Sequence, residues 1–473
     1  MCACIASITQ WGHPNILKQL APLGIILKYV PMAVLKKYHI LTVTCLVMGL
    51  LFLIAACRNK ETQIDAEHPI TTIDIESNLL NFKPLKLSEL NVNIQYIPLE
   101  TKENVALQRI LNLDLRDTLI VVCDFYRLLL FNFNGGFVSE IAKRGKGPHE
   151  LLGIASPRVN NGKIYVADYM RNRLRTFTLH GEELNQVAFP ERSLYNMARL
   201  KNWIHFTDTS YLVSKINING REKYRAIEVG LNGHLIRGFD NATFFNLYKN
   251  NSNDHYAYSP DNMTYHMYKY EQNHRLFHRL NDTIWQIDNS GIYPAYILKR
   301  GKFGLSHQLF GIQRSSKEFS EAITGSVEVR TFLETYNYII FQVQFRKQYP
   351  FDFMREVQAS FGPDKVKHEI LGVYNKATTE FFFVAPSGVD HQLEPLGIEN
   401  DIDGGINFAP MYSPNERTLV SWFNAYDLKA HVASEAFRSS TPKYPVRKRE
   451  LEALANRLKD DDNPVLMVVT FEE

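Results

Sequence analysis

Three landmarks recur along this chain at nearly one spacing. Asp124 and Asp168 lie 44 residues apart, Phe131 and Phe177 lie 46 apart, and Gly136 and Gly181 lie 45 apart. The order of apolar runs and turn residues around them also repeats. An apolar run at 119–123, a second at 128–133, Gly135-Gly136 and a third run at 137–142 return as 163–168, 173–179, Gly181 and 184–189. A period of about 40–50 residues with several short strands per unit is the signature of propeller blades. Each landmark has a local task. An Asp that ends a strand can bond the backbone ahead of it, and Gly136 and Gly181 are expected to supply the positive φ of the following hairpin.

Length points the same way. At 473 residues the chain exceeds the roughly 250–300 at which single cores stop growing, so it needs several domains or a repeat body. With 45% hydrophobic and 22% charged residues it is not disordered, collagen-like or a coiled coil. Its 29 Phe and 24 Tyr favour strands as the main fabric. Later units carry more insertions: Trp203 and Gly233 bound a third, and Asp282-Thr283-Ile284-Trp285 opens another with Gly291 at its turn. Further strands are expected at 327–345, at 369–384 turning at Asn375-Lys376, at 405–420 and at 464–471. Helical pieces are expected at 316–323 and 351–361, and the best helix at 446–459, with Leu451, Leu454 and Leu458 on one face.

The first 56 residues hold Lys18, Lys28, Lys36 and Lys37 and no acid, so the formal net charge of +3 becomes −1 without them. Met32 opens a basic stretch at Lys36-Lys37, an apolar run at 40–56 and then Cys57, the order of an export signal. Leu53-Ile54-Ala55-Ala56-Cys57 resembles a bacterial lipobox, which makes Cys57 the lipidated residue; a single membrane-spanning helix is the alternative. Residues 1–31 then read as an upstream extension, 32–56 as a lipoprotein signal peptide, 57–70 as a tether and 71–473 as the propeller. After processing only Cys57 and Cys123 remain, and lipidation of the first leaves no disulfide framework. Cys123 sits in an apolar run and is expected to be buried.

The segment Lys163-Ile164-Tyr165-Val166-Ala167-Asp168, with Asn172-Arg173-Leu174, Phe177 and Gly181, looks like an NHL-type propeller repeat. More broadly, the chain resembles the six-bladed β-propeller lipoproteins abundant in Bacteroidetes. The resemblance rests on residues 94–101, on Gly145-Lys146-Gly147-Pro148-His149-Glu150, on 282–285 with Pro294-Ala295-Tyr296, on 400–405 and on 462–466. It implies an all-β fold of six four-stranded antiparallel blades, with short helical insertions and a helix near the C-terminus. It also implies an exported, membrane-anchored protein, and it transfers no catalytic residue. Ring closure requires residues 91–99 and 465–471 to share a blade, which removes two sheet edges at once.

Candidate chemistry is sparse. Asp401 and Asp403, two residues apart in a glycine-rich turn, could offer oxygens to Ca²⁺, which needs about six to eight; the further acids and distal Glu of an EF-hand loop are missing, which favours a plain structural turn. Arg144-Gly145-Lys146-Gly147-Pro148 has the look of an anion-binding loop, but no P-loop Lys-Ser/Thr pair follows it. The aromatic stretch 244–270 contains Tyr256, Tyr258, Tyr265 and Tyr268 among Asn, Asp and His, a composition that suits stacking on a sugar or peptide, although a plain insertion packed on a blade explains it more simply. The 15 His show no zinc spacing, no Gly-x-Ser-x-Gly elbow occurs, and bases are mixed with acids throughout, which argues against a nucleic-acid partner. The expected role is therefore a binding or scaffolding module for a glycan, peptide or partner protein. The alternative is a propeller hydrolase or lactonase with a divalent cation, which calls for three carboxylates, or a His with carboxylates, at one channel mouth.

Overall fold

The computed structural model describes residues 69–472 except 117, 190–202, 216, 218–219, 242–243, 247–264, 279–280, 306–308, 310–311, 313–316, 346–368 and 386–396. The leader, Cys57 and the helix expected at 351–361 lie outside the described residues. The chain divides into Met1–Pro69 and Ile70–Glu473, and every described strand and helix belongs to the second unit.

Six sheets make up that unit. Blade 1 comprises Asn112–Arg116, Leu119–Cys123, Arg127–Asn132 and Phe137–Lys143, in that spatial order. Blade 2 comprises Ile154–Asn160, Lys163–Asp168, Arg173–Phe177 and Glu183–Ala188. Blade 3 runs Trp203–Thr207, Ser210–Ser214, Tyr224–Gly230 and Leu235–Asp240, and blade 4 runs Tyr265–Tyr270, Asn273–His278, Thr283–Ile287 and Ile292–Lys299. Blade 5 is Val327–Glu334, Tyr338–Phe345, Glu369–Asn375 and Glu380–Val384. In blade 6, Tyr412–Asn415, Thr418–Phe423 and Val465–Phe471 are joined by Val92–Pro98 from the start of the unit. The first strands of neighbouring blades approach one another, 6 with 1, 1 with 2, 3 with 4, 4 with 5 and 5 with 6, so they are the innermost strands of a ring. The fold is a six-bladed β-propeller of four-stranded antiparallel blades.

The apolar runs are continuous because each blade is covered on both faces, and successive side chains point to opposite faces. Within Leu119–Cys123, Ile120 and Val122 enter the core between blades 6 and 1, with Leu113, Phe131, Val420 and Leu466. Val121 and Cys123 enter the core between blades 1 and 2, with Leu128, Ile164, Val166 and Phe177. Cys123 is thus a fully buried core residue, and burial pushes its thiol up to about 12.

Asp124 bonds the backbone ahead of it as its position suggests, whereas Asp168 Oδ1 accepts from the backbone N–H of Gly153, which precedes it, at 3.2 Å. Asp124 Oδ1 accepts from the backbone N–H groups of Tyr126 at 2.7 Å and Arg127 at 2.6 Å. Asp168 pairs with Arg171 at 2.9 Å, as Asp124 pairs with Arg127 at 3.5 Å, each with the residue three positions on. The glycine expectation needs one correction. Gly135, not Gly136, holds the positive φ of +85°, because Asn132 Oδ1 accepts from the amides of Asn134 and Gly136 and puts Gly135 at the left-handed corner. Gly181 (φ +85°) and Gly233 (φ +84°) are its counterparts. At Gly135, Gly181 and Gly233 a Cβ would lie 2.0, 2.8 and 2.4 Å from the carbonyl oxygens of Pro98, Glu140 and Ala188. Each of those carbonyls belongs to the outer strand of the preceding blade. The glycine spacing is therefore set by blade-to-blade approach as well as by turn chirality.

Residues 71–98 form a strap around three blades. Thr71–Asp74 pairs in parallel with Ile292–Lys299 on blade 4, and Phe82–Lys83 pairs in parallel with Glu380–Val384 on blade 5. Val92–Pro98 then pairs antiparallel with Val465–Phe471, Val92 opposite Phe471 and Pro98 opposite Val465. The strap thereby covers outer edges that would otherwise present unpaired backbone groups.

Short α1 (Lys317–Ala322) follows blade 4. Three helices stand between the second and third strands of blade 6: α2 (Ala425–Ala433), α3 (Glu435–Ser439) and α4 (Pro445–Arg457). Leu451 of α4 is buried with Leu428, Val432 and Phe437, and Leu454 and Leu458 pack on the same cluster, as the 446–459 periodicity predicts. No apolar run announces α2; its signal is the capping box of Asn424 and Asp427.

Candidate functional site

Polar side chains gather where the innermost strands meet. In Asn112–Arg116 the alternation sends Leu113 and Leu115 into the core and turns Asp114 and Arg116 to the other face. Asp114 is fully buried, and both of its oxygens are held by protein donors. Tyr412 Oη of blade 6 donates to Oδ1 at 2.5 Å, and the backbone N–H of Val159 in blade 2 donates to Oδ2 at 2.7 Å. Arg116 Nε and Arg158 Nη1 stand 3.7 and 3.9 Å from Oδ1, as ion pairs rather than hydrogen bonds.

Two imidazoles complete the cluster. His205, on the innermost strand of blade 3, sits edge-on to Tyr165 with ring centroids 4.6 Å apart and is flanked by Tyr211 and Trp203. Burial, helped by the charge of Arg158, brings its pKa down to about 4. His266, on the innermost strand of blade 4, is lowered to about 4 by the same two causes, and its Nδ1 is buried with no hydrogen-bond partner. Burial, and then the negative charge of Asp114, raises Tyr412 well above the ordinary phenol range. Blades 1, 2, 3, 4 and 6 thus each supply a side chain, and at neutral pH the imidazoles and the phenol are uncharged.

A second polar cluster lies between blades 4 and 5. The carboxylate of buried Glu334 accepts from Tyr296 Oη at 2.5 Å and Lys376 Nζ at 3.0 Å through Oε1, and from Tyr268 Oη at 2.9 Å and Arg275 Nε at 3.3 Å through Oε2. Lys376 also lies 4.0 Å from the centroid of the Tyr270 ring. With four donors on two oxygens this carboxylate is saturated, and its chemistry is that of a clasp between blades.

The residues singled out in the sequence fall in several places. Tyr256 and Tyr258 lie outside the described residues. Tyr265 begins the innermost strand of blade 4, and Tyr268 on the same strand is buried with its hydroxyl on Glu334. Asp401 accepts from Ser88 N at 3.0 Å and Ser88 Oγ at 2.5 Å and so fastens the strap. Asp403, buried, accepts from Asn400 Nδ2 at 2.7 Å, Gly405 N at 2.9 Å and Tyr96 Oη at 3.1 Å. These two carboxylates serve different partners, and among the described residues no group of three or more His, Cys, Asp or Glu is placed to hold a metal ion. In the Arg144–Pro148 loop, the amide of Gly147 donates to Glu150 Oε2 at 2.9 Å, so a side chain of the protein occupies the anion position. The axial residues escaped sequence reasoning because each blade contributes one or two of them; the sole local signal was the alternation around Asp114.

A family model for a domain of unknown function, DUF4934, matches residues 70–470. The chain belongs to this family. Among solved structures, the fold is similar to that of a "Putative exported protein" of Bacteroides fragilis, at 16% identity and a TM-score of 0.57, covering 85% of this chain and 100% of that one. A member of the duf4221 family from Bacteroides vulgatus is similar at 13% identity and a TM-score of 0.39, with coverage of 62% and 86%. No curated protein matches this member of the DUF4934 family. At 16% identity the likeness to the Bacteroides fragilis protein concerns the fold alone. Among its described residues no helix is long and apolar enough to cross a membrane.

Proposed function

We propose that this chain is an exported binding module, anchored to a bacterial envelope membrane through lipidated Cys57, that takes a glycan, peptide or partner protein at the axis of its propeller. The observation that carries the binding half is the convergence of Asp114, Arg116, Arg158, His205, His266 and Tyr412 from five blades. A propeller axis filled only for stability would be expected to hold apolar or fully paired side chains. Here two guanidinium groups stand 3.7 and 3.9 Å from a buried carboxylate without hydrogen bonding to it. The hydrolase alternative calls for three carboxylates, or a His with carboxylates; this cluster sets His205 and His266 beside a single buried carboxylate, Asp114, which accepts from Tyr412 and Val159. The export half is supported by the basic, apolar and small-residue order of 32–57 and by the description of the Bacteroides fragilis neighbour as exported.

Two measurements test the proposal. Cys57→Ala should release the protein from the membrane fraction and remove the acyl mass; continued retention would overturn the anchor. A glycan and peptide array probed with the detergent-solubilised full chain should give hits that weaken in the Arg158→Gln variant. Silence across the array, or turnover of an ester or glycoside that depends on a divalent cation, would favour the enzyme instead.

A further inference from the structure

We infer that the axial cluster is a carboxylate site, in which Arg116 and Arg158 grip a singly charged ligand; this rests on the proposed binding role. A guanidinium presents a planar fork of N–H donors, and two buried arginines elsewhere in this ring, Arg175 and Arg300, use theirs on carboxylates and carbonyls. Arg175 donates to Glu183 and to the carbonyls of Glu150 and Pro148, and Arg300 donates to Asp282 and to the carbonyl of Val327. Arg116 and Arg158 differ. Asp114 does not satisfy them: its oxygens take Tyr412 Oη and the N–H of Val159, and the guanidinium nitrogens stand off at 3.7 and 3.9 Å, beyond hydrogen-bond distance. The one side-chain hydrogen bond either makes among the described residues runs from Arg158 Nη1 to the carbonyl of neighbouring Pro157, at 3.3 Å. Their side chains are 39% and 19% exposed, so neither is sealed in the core.

Charge selects the ligand class. Two guanidinium groups and one carboxylate leave a single positive charge, and the nearby imidazoles of His205 and His266 are neutral at pH 7. A carboxylate cancels that charge and offers two coplanar oxygens to the fork. A phosphate dianion would instead leave a net negative charge beside the rings of Tyr165, Trp203 and Tyr211. The buried, unpartnered Nδ1 of His266 offers one more hydrogen-bonding group, on a strand that the charge of Arg158 reaches.

The test is calorimetric titration of the detergent-solubilised full chain with four probes and a control. Glucuronate and N-acetylalanine carry the carboxylate on a sugar and on a peptide-like unit; glucose and N-acetylalaninamide are their neutral counterparts; inorganic phosphate is the control. At least one acid should bind roughly tenfold or more tightly than its neutral counterpart, and which acid it is identifies the source of the carboxylate. Arg116→Gln, at a partly exposed position, should weaken that acid by roughly tenfold with an unchanged melting temperature, and Arg116→Lys should restore part of the loss. Acid and neutral forms binding alike, phosphate binding more tightly than both acids, no acid binding at all, or Arg116→Gln leaving affinity intact would each overturn the carboxylate assignment. A neutral array hit that survives Arg116→Gln but is lost in Arg158→Gln would overturn it while leaving the binding role standing.

Discussion

Asn463 Nδ2 donates to the carbonyl of Val105 at 3.0 Å and so ties the approach to the last strand to the loop before blade 1, 358 residues earlier. The same amide group donates to the carbonyl of Glu100, its Oδ1 accepts from the N–H of Leu107 at 2.7 Å, and its own N–H reaches Thr101 Oγ1. Asn463 is 2% exposed, so these bonds have no water to replace them. Asn463→Ala would leave two carbonyls and one N–H without their partner. The expected cost is about 2–4 kcal/mol, seen as a lower urea midpoint at an unchanged slope.

Glycines at blade corners separate conformational strain from collision. Gly162 has φ +67° with nothing within 4 Å of an added Cβ, so Gly162→Ala should cost only about 1 kcal/mol of left-handed strain. Gly135 has φ +85° and the carbonyl of Pro98 in the way, so Gly135→Ala should cost at least about 2 kcal/mol more. Equal destabilisation of the two variants in parallel denaturation curves would show that Gly135 and Pro98 do not hold blades 6 and 1 in close contact.

The ring should weaken in mild acid. His274 is 5% exposed, its Nε2 lies 3.0 Å from the carbonyl oxygen of His205, and burial lowers its pKa to about 4. Between about pH 6.5 and 4 the unfolded chain binds a proton that the native state does not, so stability is full above this window and falls as pH drops through it. Each such histidine contributes a slope of up to about 1.4 kcal/mol per pH unit. Urea titrations from pH 7 to pH 4.5 should show the decline, and His274→Gln should make it shallower, leaving the parts carried by His205 and His266.

Glu334 carries the seam between blades 4 and 5. Glu334→Ala would leave Arg275 and Lys376 facing one another without a counter-charge, at a cost of roughly 3–5 kcal/mol. Adding Lys376→Met should recover part of that loss, because it removes one of the stranded charges. A double variant no more stable than the single would show that Lys376 is not coupled to Glu334.

The fold was legible where local chemistry and tertiary demand coincide. The strand at 119–123 reads as apolar throughout because Ile120 and Val122 face one seam while Val121 and Cys123 face the next. The pairing of 92–98 with 465–471 follows from ring closure. The matched stretches 94–101 and 462–466 are brought together by the bonds of Asn463 to Glu100 and Thr101. The axis was not legible. Asp114, Arg158, His205 and Tyr412 belong to different blades and share no motif, and only the curvature of the ring brings them together. Asp401 and Asp403 show the reverse: close in sequence, they serve the strap at Ser88 and the turn around Tyr96.

The strap also sets the order of assembly. Val465–Phe471 is not an edge of blade 6; it lies between Thr418–Phe423 and Val92–Pro98. A chain growing from its N-terminus presents residues 92–98 first, and they must wait for a partner made more than 360 residues later. Blades 1 to 5 can form as they emerge, each from contiguous hairpins, but the sixth cannot close before its third strand exists. Loss of the last few strand residues would therefore open the whole circle rather than fray one end, and a prematurely stopped chain would expose two apolar seams to proteolysis.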